Sequence, residues 1–181
     1  NTISANTTIT GNTVYGLSTS STGNCSGIVA SGGGNNVIIR GNTIKALVVG
    51  SSGTNRLVGA IATFGTGTNL VEKNVIDSIV TNASSGTYAL GIRASGASNT
   101  TNIFNNMISG IRANSANSGA GCAVRGISIE DYAAVRLYHN TVYLTGTSTN
   151  SGFVSGTIYS TTNGTLDSRN NILYNAYTGT G

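Results

Sequence analysis

Apolar and polar positions repeat along this chain with a period of about 32 residues. An asparagine followed two residues later by an aliphatic side chain occurs at Asn12-Thr13-Val14, Asn42-Thr43-Ile44 and Asn74-Val75-Ile76, and again at Asn106-Met107-Ile108, Asn140-Thr141-Val142 and Asn171-Ile172-Leu173. The Asn-to-Asn spacings are 30, 32, 32, 34 and 31. Midway between these asparagines lies a second phrase: Gly27-Ile28-Val29, Ala60-Ile61-Ala62, Gly91-Ile92-Arg93, Gly126-Ile127-Ser128 and Thr157-Ile158-Tyr159. A third apolar segment precedes the repeated Asn, as in Val37-Ile38-Ile39, Leu70-Val71, Ile103-Phe104 and Val135-Arg136-Leu137. Each repeat therefore predicts three short strands of alternating character. The length variation falls in Ser/Thr/Gly/Asn loops such as Asn82-Ala83-Ser84-Ser85-Gly86.

Three strands per repeat, none long enough to hold a core alone, predict an all-β solenoid whose coils bury their inward side chains on the coils above and below. The expected fold is a right-handed parallel β-helix of five to six coils. At a strand spacing of about 4.8 Å it makes a column of roughly 25–30 Å. Leucine-rich repeats need Leu-x-x-Leu-x-Leu, which is missing, and a propeller needs four strands per unit. The whole of 1–181 reads as one β-helix segment. Neither end shows a polar or helical cap, which points to part of a longer chain or to ends covered by neighbouring coils or chains, with end-to-end self-association.

Stacking gives the repeated Asn a task. A side-chain amide has two donor protons and an acceptor oxygen. Asn12, Asn42, Asn74, Asn106, Asn140 and Asn171 are predicted to form an internal hydrogen-bonded ladder. The alternative is that they are ordinary turn asparagines.

Equal offsets from the ladder predict neighbours on adjacent coils. Lys45 falls over Asp77 and Tyr143 over Tyr174; Arg40 falls over Glu72, Phe104 over Tyr138 and Arg136 over Asp167. Three of the five acids thereby find a cation one coil away. Glu130 and Asp131 are the two left unpaired.

Composition narrows the chemistry. Gly, Thr, Asn and Ser supply more than half of the 181 residues, charged residues are 8%, and Pro and Trp are absent. Scarce helix formers exclude a helical bundle. No apolar run is long enough for a membrane-spanning helix, so no membrane insertion is expected, and no signal peptide is recognisable. The net charge of +4 is scattered, without a basic patch for nucleic acid. No Cys/His cluster has metal spacing and no phosphate loop occurs, so no cofactor and no metal are expected. Gly32-Gly33-Gly34 reads as a turn, because no helix follows it. Cys25 and Cys122 fall about three coils, or roughly 14 Å, apart, beyond disulfide reach. They read as small core residues, with pairing between chains as the alternative.

Polysaccharide hydrolysis needs two carboxylates facing one groove, and lyases need acids for Ca²⁺ and a base. The enzyme alternative rests on Asp131 or Glu130 with His139 and Arg136 as a small acid–base group. Against it stands an irregular turn in the longest repeat. Five of the eight tyrosines lie in 138–177. Tyr138, Tyr143, Tyr159 and Tyr174 define a possible aromatic contact surface for surface glycans or another protein; the other reading is exterior ladder stacks. The positions Val29, Ala62, Arg93, Ser128 and Tyr159 form no Thr array of the ice-binding kind.

The segment Gly164-Thr165-Leu166-Asp167-Ser168-Arg169-Asn170-Asn171-Ile172-Leu173-Tyr174-Asn175 resembles the right-handed β-helix repeats of large secreted and cell-surface proteins from Bacteroidota. The pattern extends over most of the chain. Those proteins are type IX secretion substrates that often act as adhesins or surface fibres. The resemblance implies an extracellular, cell-surface location and a non-catalytic structural role. The separate C-terminal domain that carries the type IX signal is not part of this sequence. Asp77-Ser78-Ile79 is similar to that phylum's short O-glycosylation motif. Asn-x-Ser/Thr sequons stand at Asn6, Asn24, Asn82, Asn99 and Asn163 and matter only in a eukaryotic secretory context.

Overall fold

A computed structural model describes residues 6–20, 24–31, 36–50, 57–64, 66–83, 88–113, 121–150, 152–161 and 164–179. The Gly32–Gly34 turn, the Ser84–Gly86 loop segment and Asn163 lie outside the described residues, as does the side chain of Asn99. The chain is an all-β parallel solenoid with three faces per coil. The first face holds Thr7–Thr10, Val37–Arg40, Thr68–Glu72 and Thr165–Arg169, and the second holds Thr13–Tyr15, Thr43–Val49, Val75–Thr81, Met107–Ser109, Thr141–Ser148 and Ile172–Gly179. The third holds Cys25–Ala30, Leu57–Thr63 and Ser155–Ser160. Two long strands, Tyr88–Phe104 and Val124–Tyr138, run from the third face straight into the first. They turn the corner through register shifts at Ser95, Gly96 and Thr100. Six ladder positions bound the coils, and the four inner ones, from Asn42 to Asn140, are covered on both sides.

Alternation explains the core. The second residue after the ladder Asn points inward, so Val14, Ile44, Ile76, Ile108, Val142 and Leu173 form one column. Ile9, Ile39, Val71, Ile103 and Leu137 form a second, and Ile28, Ile61, Ile92, Ile127 and Ile158 a third. Branched side chains suit such stacked strands because their stiff rotamers pack well on a pleated surface.

Two backbone devices bend each coil. The residue before the ladder Asn is left-handed in all six turns: Gly11, Gly41, Lys73, Asn105, His139 and Asn170, with φ of 54–68°. Four residues after the ladder Asn a second left-handed bend recurs at Gly16, Ala46, Ser78 and Gly110. In the next coil this position is Leu144, and the strand Thr141–Ser148 runs on without the bend. It diverges from the short strand Ile111–Ala113, which among the described residues pairs with Val75–Thr81 alone. Tyr177 fills the opening. It lies across Gly146, meets the Phe153 ring at 4.9 Å, and its hydroxyl donates to the Ile111 carbonyl at 3.3 Å.

The glycine of the midway phrase answers to close packing. A Cβ on Gly91 would stand 2.6 Å from the Gly126 carbonyl and 2.7 Å from the Ile108 side chain. Ala60 occupies the same level one coil earlier, so the backbone can yield to a methyl at a cost. Gly91→Ala is expected to lose about 1–3 kcal/mol, the usual penalty of overpacking, read as a lower urea midpoint.

Candidate functional site

The ladder forms as the repeat implies. The Asn74 Oδ1 accepts the Asn42 backbone N–H at 2.9 Å and its Nδ2 at 3.0 Å. The Asn74 Nδ2 donates to the Ile39 carbonyl at 3.0 Å and to the Asn106 Oδ1 at 2.9 Å. Asn42, Asn106 and Asn140 repeat this pattern. Each inner amide thus has all four of its hydrogen-bonding sites occupied while 1% exposed or less.

The carboxylates take more varied partners than equal offsets suggest. Glu72 pairs with Arg40 one coil away, as expected. Asp77 does lie beside Lys45, but its hydrogen bonds come from the Ser109 hydroxyl at 2.8 Å and the Ser78 hydroxyl at 2.9 Å. Burial pushes Asp77 up; the two serines and Lys45 outweigh it and hold the carboxyl below its usual value. Asp167 is in register with Arg136, yet its contacts are the Tyr138 hydroxyl and Arg169, at 2.7 Å. Arg136 instead reaches Asn102. The Tyr138 hydroxyl and then Arg169 hold Asp167 below its usual range.

These depressions set an acid limit. A carboxyl with a lowered folded-state pKa contributes stability above its unfolded pKa of about 3.9, and that contribution is lost as pH falls through the folded value. Urea midpoints are therefore expected to hold from pH 7 to about 4.5 and to fall below pH 4. Asp77→Asn should flatten part of that fall.

Glu130 corrects the expectation most. It is not unpaired: Arg93 and Arg125 both bind it, Arg125 at 2.9 Å, and the Ser128 hydroxyl donates to it at 2.8 Å. Arg125 has its guanidinium between the rings of Tyr88 and Tyr159, at 4.1 and 3.9 Å, and donates from Nε to the Cys122 carbonyl at 2.8 Å. Arg93 lies over Phe64 at 5.2 Å. This layer covers the third face from outside, so that Ala62 is 6% and Ser128 0% exposed despite their outward positions. Neither the ladder offsets nor the motifs assign a role to Arg125, Arg93, Tyr88 or Phe64. The signal was the register of the midway phrase, which places Arg125 beside Leu90 and Arg93 beside Ser128. Chemically the cluster fixes one carboxylate between two guanidiniums and a hydroxyl, an arrangement that holds geometry.

The Asp131, His139 and Arg136 group is not assembled. Asp131 is exposed in a left-handed turn, and His139 is exposed in the turn before Asn140. The extended stretch Ala134–Tyr138 lies between them and spans about 13 Å at strand rise, well beyond hydrogen-bond reach. Arg136 points away to Asn102.

The four tyrosines do not share a surface. Tyr138 is on the first face, Tyr143 and Tyr174 on the second, and Tyr159 on the third. The stacking of equal offsets does hold: Phe104 and Tyr138 lie 5.0 Å apart at 4°, Tyr143 and Tyr174 4.9 Å apart at 9°. Cys25 and Cys122 are free and buried. Burial pushes the Cys122 thiol up to about 11, against a smaller opposing effect of Arg125, so it is protonated at neutral pH and a poor nucleophile.

Among the described residues no group of three His, Cys, Asp or Glu is placed to hold a metal, and no helix is long and apolar enough to cross a membrane. No protein-family model, no curated protein and no solved structure matches this chain.

Proposed function

We propose that this chain is a non-catalytic structural segment of a secreted or cell-surface protein: a rigid stalk, fibre or adhesin repeat region. The observation that carries the reading is the use of its charged side chains. Glu72, Asp77, Glu130 and Asp167 are each held by partners that tie strands and coils together. Asp131, the fifth, stands apart from His139. The resemblance to Bacteroidota surface repeats supports an extracellular setting, type IX export and neighbouring β-helix coils or chains as partners. Loops on a rigid column would be the variable, partner-facing part.

The test is incubation with neutral and acidic polysaccharides, with and without Ca²⁺, followed by assay of new reducing ends or unsaturated products. The expected result is none above a heat-denatured control. Cleavage that disappears in Asp131→Asn or His139→Gly would replace this reading with the hydrolase or lyase alternative. His139→Gly itself is expected to keep or slightly raise the thermal midpoint, because glycine relieves a left-handed conformation that costs other residues about 1 kcal/mol.

A further inference from the structure

The outward column three residues after the ladder Asn contains a gap. It runs Tyr15, Lys45, Asp77, Ser109, Tyr143 and Tyr174. Tyr174 covers one face of the Tyr143 ring. On the other side the registered neighbour is Ser109, too short to cover an aromatic ring. Tyr143 is 49% exposed, and Met107, in the adjacent outward row, is 58% exposed. Across the gap the Asp77 carboxylate leans over the Ser109 coil. It accepts the Ser109 hydroxyl at 2.8 Å, and its Oδ1 stands 2.5 Å from where a Cβ on Gly110 would be. The result is a notch with an aromatic wall, a Ser109–Gly110 floor and a carboxylate opposite, with Lys45 beyond it.

We propose that this notch is a subsite for one pyranose ring of a neutral glycan. The negative face of the Tyr143 ring attracts the C–H face of a sugar. A carboxylate offers about four lone-pair sites, and the two serine hydroxyls and the Ser78 backbone N–H that donate to Asp77 leave about one acceptor for a sugar hydroxyl. Asp77 disfavours an anionic sugar. Lys45, in register beside Asp77, offsets that charge and disfavours a cationic ligand. Tyr138 and Tyr159 lack a comparable ring face, and Tyr15, though 73% exposed, has Lys45 rather than a serine as its registered neighbour. Tyr138 lies between Phe104 at 5.0 Å and Arg169 at 5.8 Å, and Tyr159 carries Arg125 at 3.9 Å. The subsite is independent of the scaffold reading, since it needs neither cleavage nor its absence.

The test is affinity electrophoresis in gels containing mixed-linkage β-glucan, xyloglucan or galactomannan, with alginate as the acidic polymer. Retardation by at least one neutral polymer is expected. Tyr143→Ala should weaken it about tenfold, the equivalent of one aromatic contact. Ser109→Tyr should weaken it as much by extending the stack into the notch, and Tyr138→Phe should leave it unchanged. Thermal midpoints of the three variants establish that they fold, and Ser109→Tyr carries the test if Tyr143→Ala does not. Three results would overturn the subsite: no retardation by any neutral polymer, retardation equal in the wild type and Ser109→Tyr, or retardation by alginate alone. None of these bears on the cleavage assay that tests the scaffold.

Discussion

Replacing Asn74 by Ala is expected to destabilise the solenoid by about 3–5 kcal/mol, whereas the same change at Asn12 should cost less than about 1 kcal/mol. The difference lies in what each change leaves behind. Without the Asn74 amide, the Asn42 backbone N–H and Nδ2 lose their acceptor and the Ile39 carbonyl loses its donor, all within the packed interior. A buried polar group stripped of its partner costs about 1–3 kcal/mol. Asn12 is exposed and only donates to the ladder, so water replaces what it gives up. Asn74→Asp should be nearly as damaging: it keeps the acceptor but removes two donated bonds and brings a charge into the interior. Urea unfolding of the three variants with a common m-value measures this directly. Equal losses at Asn12 and Asn74 would mean that these are turn residues rather than a ladder.

The second large effect is expected at Glu130. Glu130→Ala should cost about 3 kcal/mol, because it strands the Arg125 guanidinium, 7% exposed, and takes the counter-charge from Arg93. The Arg93→Ala, Glu130→Ala double variant should cost less than the sum of the single changes, because the two act on one network. Arg125→Lys is not conservative here. A lysine lacks the planar fork that lies between Tyr88 and Tyr159 while binding Glu130 and Cys122. A Glu130→Ala loss below about 0.5 kcal/mol would place the cluster among ordinary surface ion pairs.

What the sequence made legible follows from where the register is strict. Between the first and second faces the ladder turn has constant length, so offsets from Asn42, Asn74 and Asn106 place Arg40 on Glu72, Lys45 beside Asp77 and Phe104 on Tyr138. The same count breaks down across the variable loops. Glu130 lies 37 residues after Arg93: an insertion between the ladder and the third face puts Arg93 in register with Ser128, and Glu130 stands two residues further along that strand. The midway phrase carries its own register, and only that register brings Arg93, Arg125 and Glu130 together. Asp167 shows a second limit. Outward residues two apart on one strand are about 6.6 Å apart, against about 4.8 Å for adjacent coils, but still within reach of an arginine side chain, and Arg169 on the same strand takes the acid in place of Arg136. Tyr177 shows a third: its role depends on a bend missing at Leu144, an absence that a repeat search passes over.

The most direct test of the account is hydrogen exchange at the side-chain amides of the ladder, followed by two-dimensional NMR on nitrogen-15-labelled protein. In a buried ladder the amide protons of Asn42, Asn74, Asn106 and Asn140 exchange slowly, near the rate of the core strands, while those of Asn12 exchange fast. Fast exchange at the four inner amides, at rates typical of exposed asparagine, would contradict it.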